Sequence, residues 1–182
     1  AHLDKFFIGF ESVNPGNRRE LGGKARGEVE RTRHVIKTVH KHGIGVVGLF
    51  VVGFDSDTLE TIDAAYDFIR SAELDGVSVT VLTPFPGTVQ RANLLAAGRI
   101  LPHVTWEHYD TNHVTFRPAQ MTVEELTAAY DRLCRRIYHP TRIIERGWGA
   151  LRRHPPAKMP ARLFSSFSTD IGYRREYSHR NR

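Results

Sequence analysis

Three points of the chain combine a carboxylate or hydroxyl with a turn at the end of an apolar run: Gly9-Phe10-Glu11-Ser12, Gly53-Phe54-Asp55-Ser56-Asp57 and Leu82-Thr83-Pro84-Phe85-Pro86-Gly87-Thr88. Where parallel strands lie side by side, ligands sit at their carboxyl ends, because loops and helix N-termini meet there. Glu11 offers two acceptor oxygens, enough to hold the vicinal hydroxyls of a sugar; its plain alternative is a surface loop acid. Asp55 and Asp57 are hard oxygen donors of the kind that bind metal ions. Asp57 also stands where a helix N-cap belongs, and capping accounts for it better.

Other chemistries find little support. His40 and His42 lie two apart on a helical pattern and face different ways, and His108 and His113 fall in a loop, whereas zinc needs three or four convergent ligands. No glycine loop has a phosphate-cradling spacing, Gly22-Gly23-Lys24 opens no helix after a strand, and no serine sits in a G-x-S-x-G elbow. Cys134 is the single cysteine. It lies near the apolar face of a helical pattern, as a small core residue does, and it excludes an intrachain disulfide or a multi-cysteine metal site supplied by this chain alone.

The elements that must position these strand ends read as an alternation of strand and helix. Phe6–Phe10 is a short apolar strand followed by a polar turn, Glu11 to Gly16, and a glycine-rich basic loop from Arg18 to Gly27 with at most one helical turn. From Glu28, Val29, Thr32, Ile36 and Val39 recur at helical spacing, and Gly43 stands where a left-handed C-cap belongs. The run Gly43–Thr58, GIGVVGLFVVGFDSDT, lacks polar alternation and reads as a parallel strand buried on both faces. Asp57-Thr58-Leu59-Glu60 then has the cap-and-Glu spacing of a helix start, with Leu59, Ile62, Tyr66 and Ile69 along one face. Val77–Leu82 is the next strand, broken by Pro84 and Pro86, and a further helix stops at Gly98. Crossovers of this length join parallel neighbours, so residues 6–98 form three β/α units of an α/β fold.

Beyond Gly98 the chain is irregular to Gln120, with a short strand at His113–Phe116. Thr122-Val123-Glu124-Glu125 opens a helix that ends before Pro140. The domains expected are 1–100 as β/α core, 101–146 as loop and capping helix, and 147–182 as a basic extension. Of the formal charge of +6 in 182 residues, the imbalance lies in the tail: residues 141–182 hold 10 Lys+Arg against 3 Asp+Glu, and residues 1–140 hold 16 against 17. Aromatic residues lie among those arginines, as in nucleic-acid readers, but the clusters follow no recognised module and a solvated extension accounts for them better. No apolar run is long enough to span a membrane and no signal peptide is evident, so the cytoplasm is the expected location. Residue 1 is an alanine and a strand begins almost at once, from which a fragment is expected.

Several of these segments, taken in order, resemble the second half of a radical S-adenosylmethionine enzyme. They are Phe7-Ile8-Gly9-Phe10-Glu11-Ser12, then His42-Gly43-Ile44 leading to Phe50-Val51-Val52-Gly53-Phe54-Asp55-Ser56-Asp57-Thr58, then Leu82 to Thr88, Gly98-Arg99-Ile100-Leu101 and Trp106-Glu107-His108-Tyr109-Asp110. The subgroup they resemble is the B12-binding one, which includes hopanoid methylases and the anaerobic magnesium-protoporphyrin ester cyclase. The resemblance covers about Phe6 to Arg146. It implies the C-terminal half of a partial (β/α)6 TIM-like barrel, strands four to six, with a C-terminal helical extension.

Enzymes of this family bind a [4Fe-4S] cluster through a C-x-x-x-C-x-x-C loop and reductively cleave S-adenosylmethionine to a 5′-deoxyadenosyl radical. The loop is missing here, so the cluster ligands are expected outside this chain, in an N-terminal half of the same protein, and the isolated chain is expected to be inactive. By position, the resemblance places Glu11 and Ser12 at the ribose and methionyl part of the cofactor, Val51 and Gly53 near the adenine, and Leu82, Thr83 and Pro84 at the adenine edge. Cobalamin would serve some members as a methyl carrier, bound by a domain upstream. The loop Trp106–Asp110 resembles a segment near the substrate mouth, and the substrate, a small molecule, is left open. The alternatives are a non-catalytic β/α module that binds a nucleotide or a partner, and a basic nucleic-acid-binding protein, which would lose affinity steeply with salt.

Overall fold

The structure, a computed structural model, describes residues 3–20, 28–153 and 170–174. Strands β1 (Lys5–Glu11), β2 (Gly45–Val52) and β3 (Gly76–Val81) form a three-stranded parallel sheet in the order β1-β2-β3. Among the described residues the helices include α1 (Pro15–Glu20), α2 (Glu28–Lys41), α3 (Leu59–Ser71), α4 (Val89–Ala96), α5 (Val123–Ile137) and α6 (Pro140–Arg153), with a 3-10 turn at Trp106–His108. The α/β reading and the parallel order of the three units therefore hold. All three carboxyl ends lie along one edge of the sheet.

Strand register separates the two faces. Val46, Phe50, Val52, Val77, Val79 and Val81 turn to the helices and join Ile62, Tyr66, Phe68 and Ile69 of α3 and Leu126, Tyr130, Leu133 and Ile137 of α5 in one core. Phe10, Phe50 and Phe68 meet within it at ring separations of 5.6 to 6.5 Å, contacts that add about 0.5–1.5 kcal/mol each beyond area burial. The other face carries Phe7, Gly9, Leu49 and Val51 in alternation. Phe7 is 58% exposed and Leu49 and Val51 are half-buried. β2 is thus closed by helices on one face and partly open on the other, which corrects the expectation of a strand buried on both. Its uniform apolar composition reflects two environments, a packed core and an apolar face left half open.

Local departures have clear causes. Pro15 starts α1 inside the expected turn, as its fixed φ and missing N–H suit a first helical position. The cap of α3 is Thr58, in a reciprocal box with Thr61, one residue later than Asp57 and Glu60 had suggested. α5 opens on the expected Thr122–Glu125 box. After Tyr138, Pro140 begins a new helix, α6, which runs across the expected boundary at residue 146 between the capping helix and the basic extension. The basic residues of 154–169 and 175–182 lie outside the described residues.

At the amino edge of the sheet, buried Asp75 accepts from Val46 N–H at 2.8 Å, meets His40 Nε2 at 2.8 Å and pairs with Arg153 at 2.9 Å. One carboxylate thereby ties α2, β2 and α6 together. The two lateral edges of the sheet differ. β1 has no further strand on its outer side among the described residues. β3 has its outer backbone groups covered. Val77 N–H donates to Asp170 at 3.4 Å, Val79 N–H donates to the Tyr138 hydroxyl at 3.4 Å, and Val81 N–H donates to the Thr111 carbonyl at 2.7 Å. The Tyr138 hydroxyl in turn donates to the Val77 carbonyl at 3.3 Å. Tyr130 donates to Asn112 Oδ1 at 2.8 Å and lies 3.2 Å from the Val79 carbonyl. No helix among the described residues is long and apolar enough to cross a membrane.

Candidate functional site at the carboxyl edge of the sheet

A β-bulge shapes the end of β1. Gly9 pairs with Leu49 and Glu11 with Phe50, so Phe10 is the extra residue, and Glu11 takes a left-handed φ of 56°. A bulge leaves one residue unpaired and re-aims the next side chain. Here Phe10 turns into the core and the Glu11 carboxylate folds back over Gly9 on the open face. A Cβ built on Gly9 would stand 2.5 Å from Glu11 Oε1, so a side chain there would push the Glu11 carboxylate out of this position. Glu11 is exposed, and its carboxylate has no hydrogen-bond partner among the described residues.

Its neighbours are committed to the protein itself. The Ser12 hydroxyl is buried and accepts from Asn14 N–H at 3.0 Å and from Asn17 Nδ2 at 2.8 Å. Asn17, with no exposed surface, also donates to Asp57 Oδ1 at 2.5 Å. Asn14 reaches the Ser56 carbonyl at 2.7 Å. Asp57, 4% exposed, uses its second oxygen to accept from Gly53 N–H at 2.8 Å and Phe54 N–H at 3.1 Å. Asp57 is therefore not the helix cap expected of it. It is a buried tie that folds the end of β2 back on itself and fastens the β1 and β2 ends together. Asn14 and Asn17 carry this network together with Ser12 and were not singled out from the sequence; the signal was an S-x-N-x-x-N spacing directly after a strand.

Asp55 is ion-paired rather than open to a metal. Arg99 meets it through both terminal nitrogens, at 2.9 and 2.7 Å, and donates from Nε to the Arg117 carbonyl at 2.8 Å. The pair locks the loop after β2 to the segment after α4. Gly53 has φ +101°, and a Cβ there would meet Leu126 at 3.1 Å and Phe116 at 3.5 Å. The left-handed φ is what favours glycine at this point, and a Cβ would in addition press on Leu126. Val51 lies half-buried on the open face beside Thr80. At the end of β3, Leu82 N–H donates to the Val52 carbonyl at 2.8 Å and the Thr83 hydroxyl to the Val81 carbonyl at 3.0 Å. Pro84 is buried, and its carbonyl accepts from Arg91 at 3.1 Å. Of the seven residues predicted at a cofactor, Glu11, Val51, Leu82 and Thr83 retain exposed surface, whereas Ser12, Gly53 and Pro84 are buried.

The histidines of the 106–113 loop are held locally. His113 contacts both oxygens of Asp110 at 3.0 Å, and the His108 and His113 rings lie 5.1 Å apart. Partial burial opposes ionisation of Asp110, but hydrogen bonds from Asn112 and His113 outweigh it and hold the carboxyl below its ordinary range. No group of three or more metal-ligating side chains converges among the described residues. Cys134 is fully buried in α5.

A parallel α/β unit with an unpaired acid at its carboxyl edge is the structural class; its relatives are methyltransferases. The chain is 34% identical over 142 residues to the bacteriochlorophyllide d C-12(1)-methyltransferase of Chlorobaculum tepidum, covering 78% of this chain and 30% of that protein. It is 27% identical over 133 residues to an uncharacterized methyltransferase of Pyrococcus horikoshii, 72% of this chain and 27% of that protein. It is 22% identical over 146 residues to the hopanoid C-2 methylase of Rhodopseudomonas palustris, 80% of this chain and 26% of that protein. The chain thus spans less than a third of the length of these curated relatives. No family model matches it.

Proposed function

We propose that this chain is one arc of the barrel of a radical S-adenosylmethionine methyltransferase, and that Glu11 holds the cofactor. The relatives named above support methyl transfer, and a hopanoid methylase among them agrees with the subgroup that the strand-end motifs resemble. One observation carries the reading. Glu11 alone among the polar groups of the β1 and β2 ends named above is held by a bulge over the open face with no side-chain partner among the described residues, while Ser12, Asp55 and Asp57 are consumed by the fold.

S-adenosylmethionine, when bound, supplies the methyl group or the radical that the reaction needs. This chain's part is to bind and orient. The Glu11 carboxylate accepts from hydroxyl or ammonium donors of the cofactor, Val51 and Leu82 offer apolar surface to its base, and the Asp57 network keeps the strand ends at a fixed spacing. The [4Fe-4S] cluster does not fit these residues. A cluster needs several thiolates, and the one cysteine, Cys134, is enclosed in α5. Its ligands and the other barrel strands are supplied from outside these residues in this proposal. Cobalamin is not included, since no residue described here reads as its holder. Bacteriochlorophyllide and hopanoid, in the relatives' names, are polycyclic, and a polycyclic substrate is carried to this chain as part of the proposal.

The test is cofactor affinity in the full-length enzyme, read by equilibrium dialysis. Glu11→Gln is expected to weaken S-adenosylmethionine binding about tenfold, the effect of losing a charged hydrogen bond. Unchanged affinity removes Glu11 from the pocket and the proposal with it.

A further inference from the structure

The segment after β3 builds a second exposed feature. Arg91, in the first turn of α4, donates from Nη1 to the Pro84 carbonyl at 3.1 Å. Its guanidinium lies 5.2 Å from the centroid of the Trp106 ring and 5.3 Å from that of Tyr109, and the two rings are 5.0 Å apart. Trp106 is 66% exposed. Among the described residues Arg91 has no carboxylate partner, in contrast to Arg99, which is closed on Asp55. The feature is joined to the carboxyl end of β3 at two points, Pro84 and Thr111, whose carbonyl accepts from Val81 N–H at 2.7 Å.

Guanidinium has five donors in a fixed fork, and one is engaged here with a carbonyl. A cation held against aromatic rings is oriented without being neutralised, and the exposed side of the tryptophan remains free for stacking. A ligand that meets both demands has a flat conjugated surface and an acidic group at its rim, since a carboxylate matches the fork. Resting on the polycyclic-substrate reading above, we propose that Arg91, Trp106 and Tyr109 form the recognition platform for a planar conjugated ring bearing a carboxylate. Trp106 and Tyr109 take the ring and Arg91 takes the acid.

The test uses the whole 182-residue chain with Trp148→Phe, which leaves Trp106 as its one tryptophan. It is titrated with 1-pyrenebutyrate and with neutral 1-pyrenebutanol, and quenching of Trp106 emission is read. The acid is expected to bind about tenfold more tightly than the alcohol. Arg91→Gln abolishes that preference and leaves the alcohol's affinity as it was. Trp106→Ala, followed by pyrene emission, weakens both probes, and Phe7→Ser on the open sheet face weakens neither. Equal affinity of the two probes, a preference that survives Arg91→Gln, or binding lost with Phe7→Ser instead of Trp106→Ala each overturns the platform. Cofactor affinity in the full-length enzyme separates the two ideas. Arg91→Gln leaves it unchanged, so a failed platform with an intact Glu11 effect counts against the platform alone, and a silent Glu11→Gln counts against the cofactor pocket alone.

Discussion

The two lateral edges of the sheet solve the same problem in opposite ways. β3 has its outer N–H groups met by Asp170, Tyr138 and Thr111. β1, paired with β2 on its inner side, has no strand on its outer side among the described residues, and its Phe6 and Phe7 are 41% and 58% exposed. An unpaired, apolar edge is a template for another strand, whereas an edge whose donors already have partners is not. The difference teaches that the sheet is finished on one side only. The finish is made by two buried side chains and a loop carbonyl from later in the chain rather than by a further strand.

The largest effect is expected from breaking the sealed side. Asp170 has no exposed surface and pairs with Arg146 at 2.7 Å; burial raises its carboxyl above the ordinary range, and Arg146 only partly offsets this. Arg146→Met leaves a buried charge alone and is expected to cost about 3 kcal/mol in urea unfolding at neutral pH. Because the folded pKa is raised, the folded state holds this proton more readily than the unfolded chain. The site's contribution therefore falls as pH climbs from below the ordinary carboxylate value through the folded pKa. The defect of Arg146→Met accordingly shrinks in acid, where Asp170 is protonated and needs no cation. A defect independent of pH would show that the pair does not govern this edge.

A smaller change is expected at Tyr138, whose phenol burial holds well above its ordinary range, with Cys134 and Asp170 adding to the effect. Below the ordinary phenol pKa both folded and unfolded states are protonated and the stability is intact. Above about pH 10 the unfolded chain ionises first, and stability falls. Tyr138→Phe is expected to cost about 1 kcal/mol at pH 7 for the bonds to Val77 and Val79, and to flatten the alkaline limb of a pH–stability curve. An equally steep limb in the variant would assign the alkaline loss elsewhere. The smallest effect on stability lies on the bare side. Phe7→Lys is expected to move unfolding by less than about 0.5 kcal/mol while reducing self-association in light scattering, since a lysine at an edge opposes strand pairing. Undiminished association would mean that β1 is not the sticky side.

The strand-and-helix order was legible because long crossovers between short apolar runs leave few alternatives. The capping box at Thr122 and the stop at Gly98 were legible because the groups that decide them are adjacent in the chain. What could not be read locally was anything set by distant partners. The cover on the outer side of β3 was not legible, because Tyr138 and Asp170, which supply it, belong to elements with no strand pattern. Asp57 looked like a cap because its spacing to Glu60 fits one; the structure shifts the cap to Thr58 and gives Asp57 to the β2 end. The resemblance put Gly53 near the adenine, and that the direction of its missing side chain faces Leu126 and Phe116, far along the chain, could not be read locally. Glu11 could be named from its place after a strand. Its backbone twist could not, since a bulge depends on the partner's register.

That bulge makes the position of the acid a matter of counting. With Phe10 looped between two ladder rungs, changing a single side chain alters what Glu11 can hold, but adding or removing one residue before it alters where it points. Shortened by that one residue, the strand would regain an unbroken rhythm and deliver the next side chain to the opposite surface. Chain length between Gly9 and Ser12 is therefore under tighter control than composition, and indels there should be the least forgiving changes in this part of the molecule.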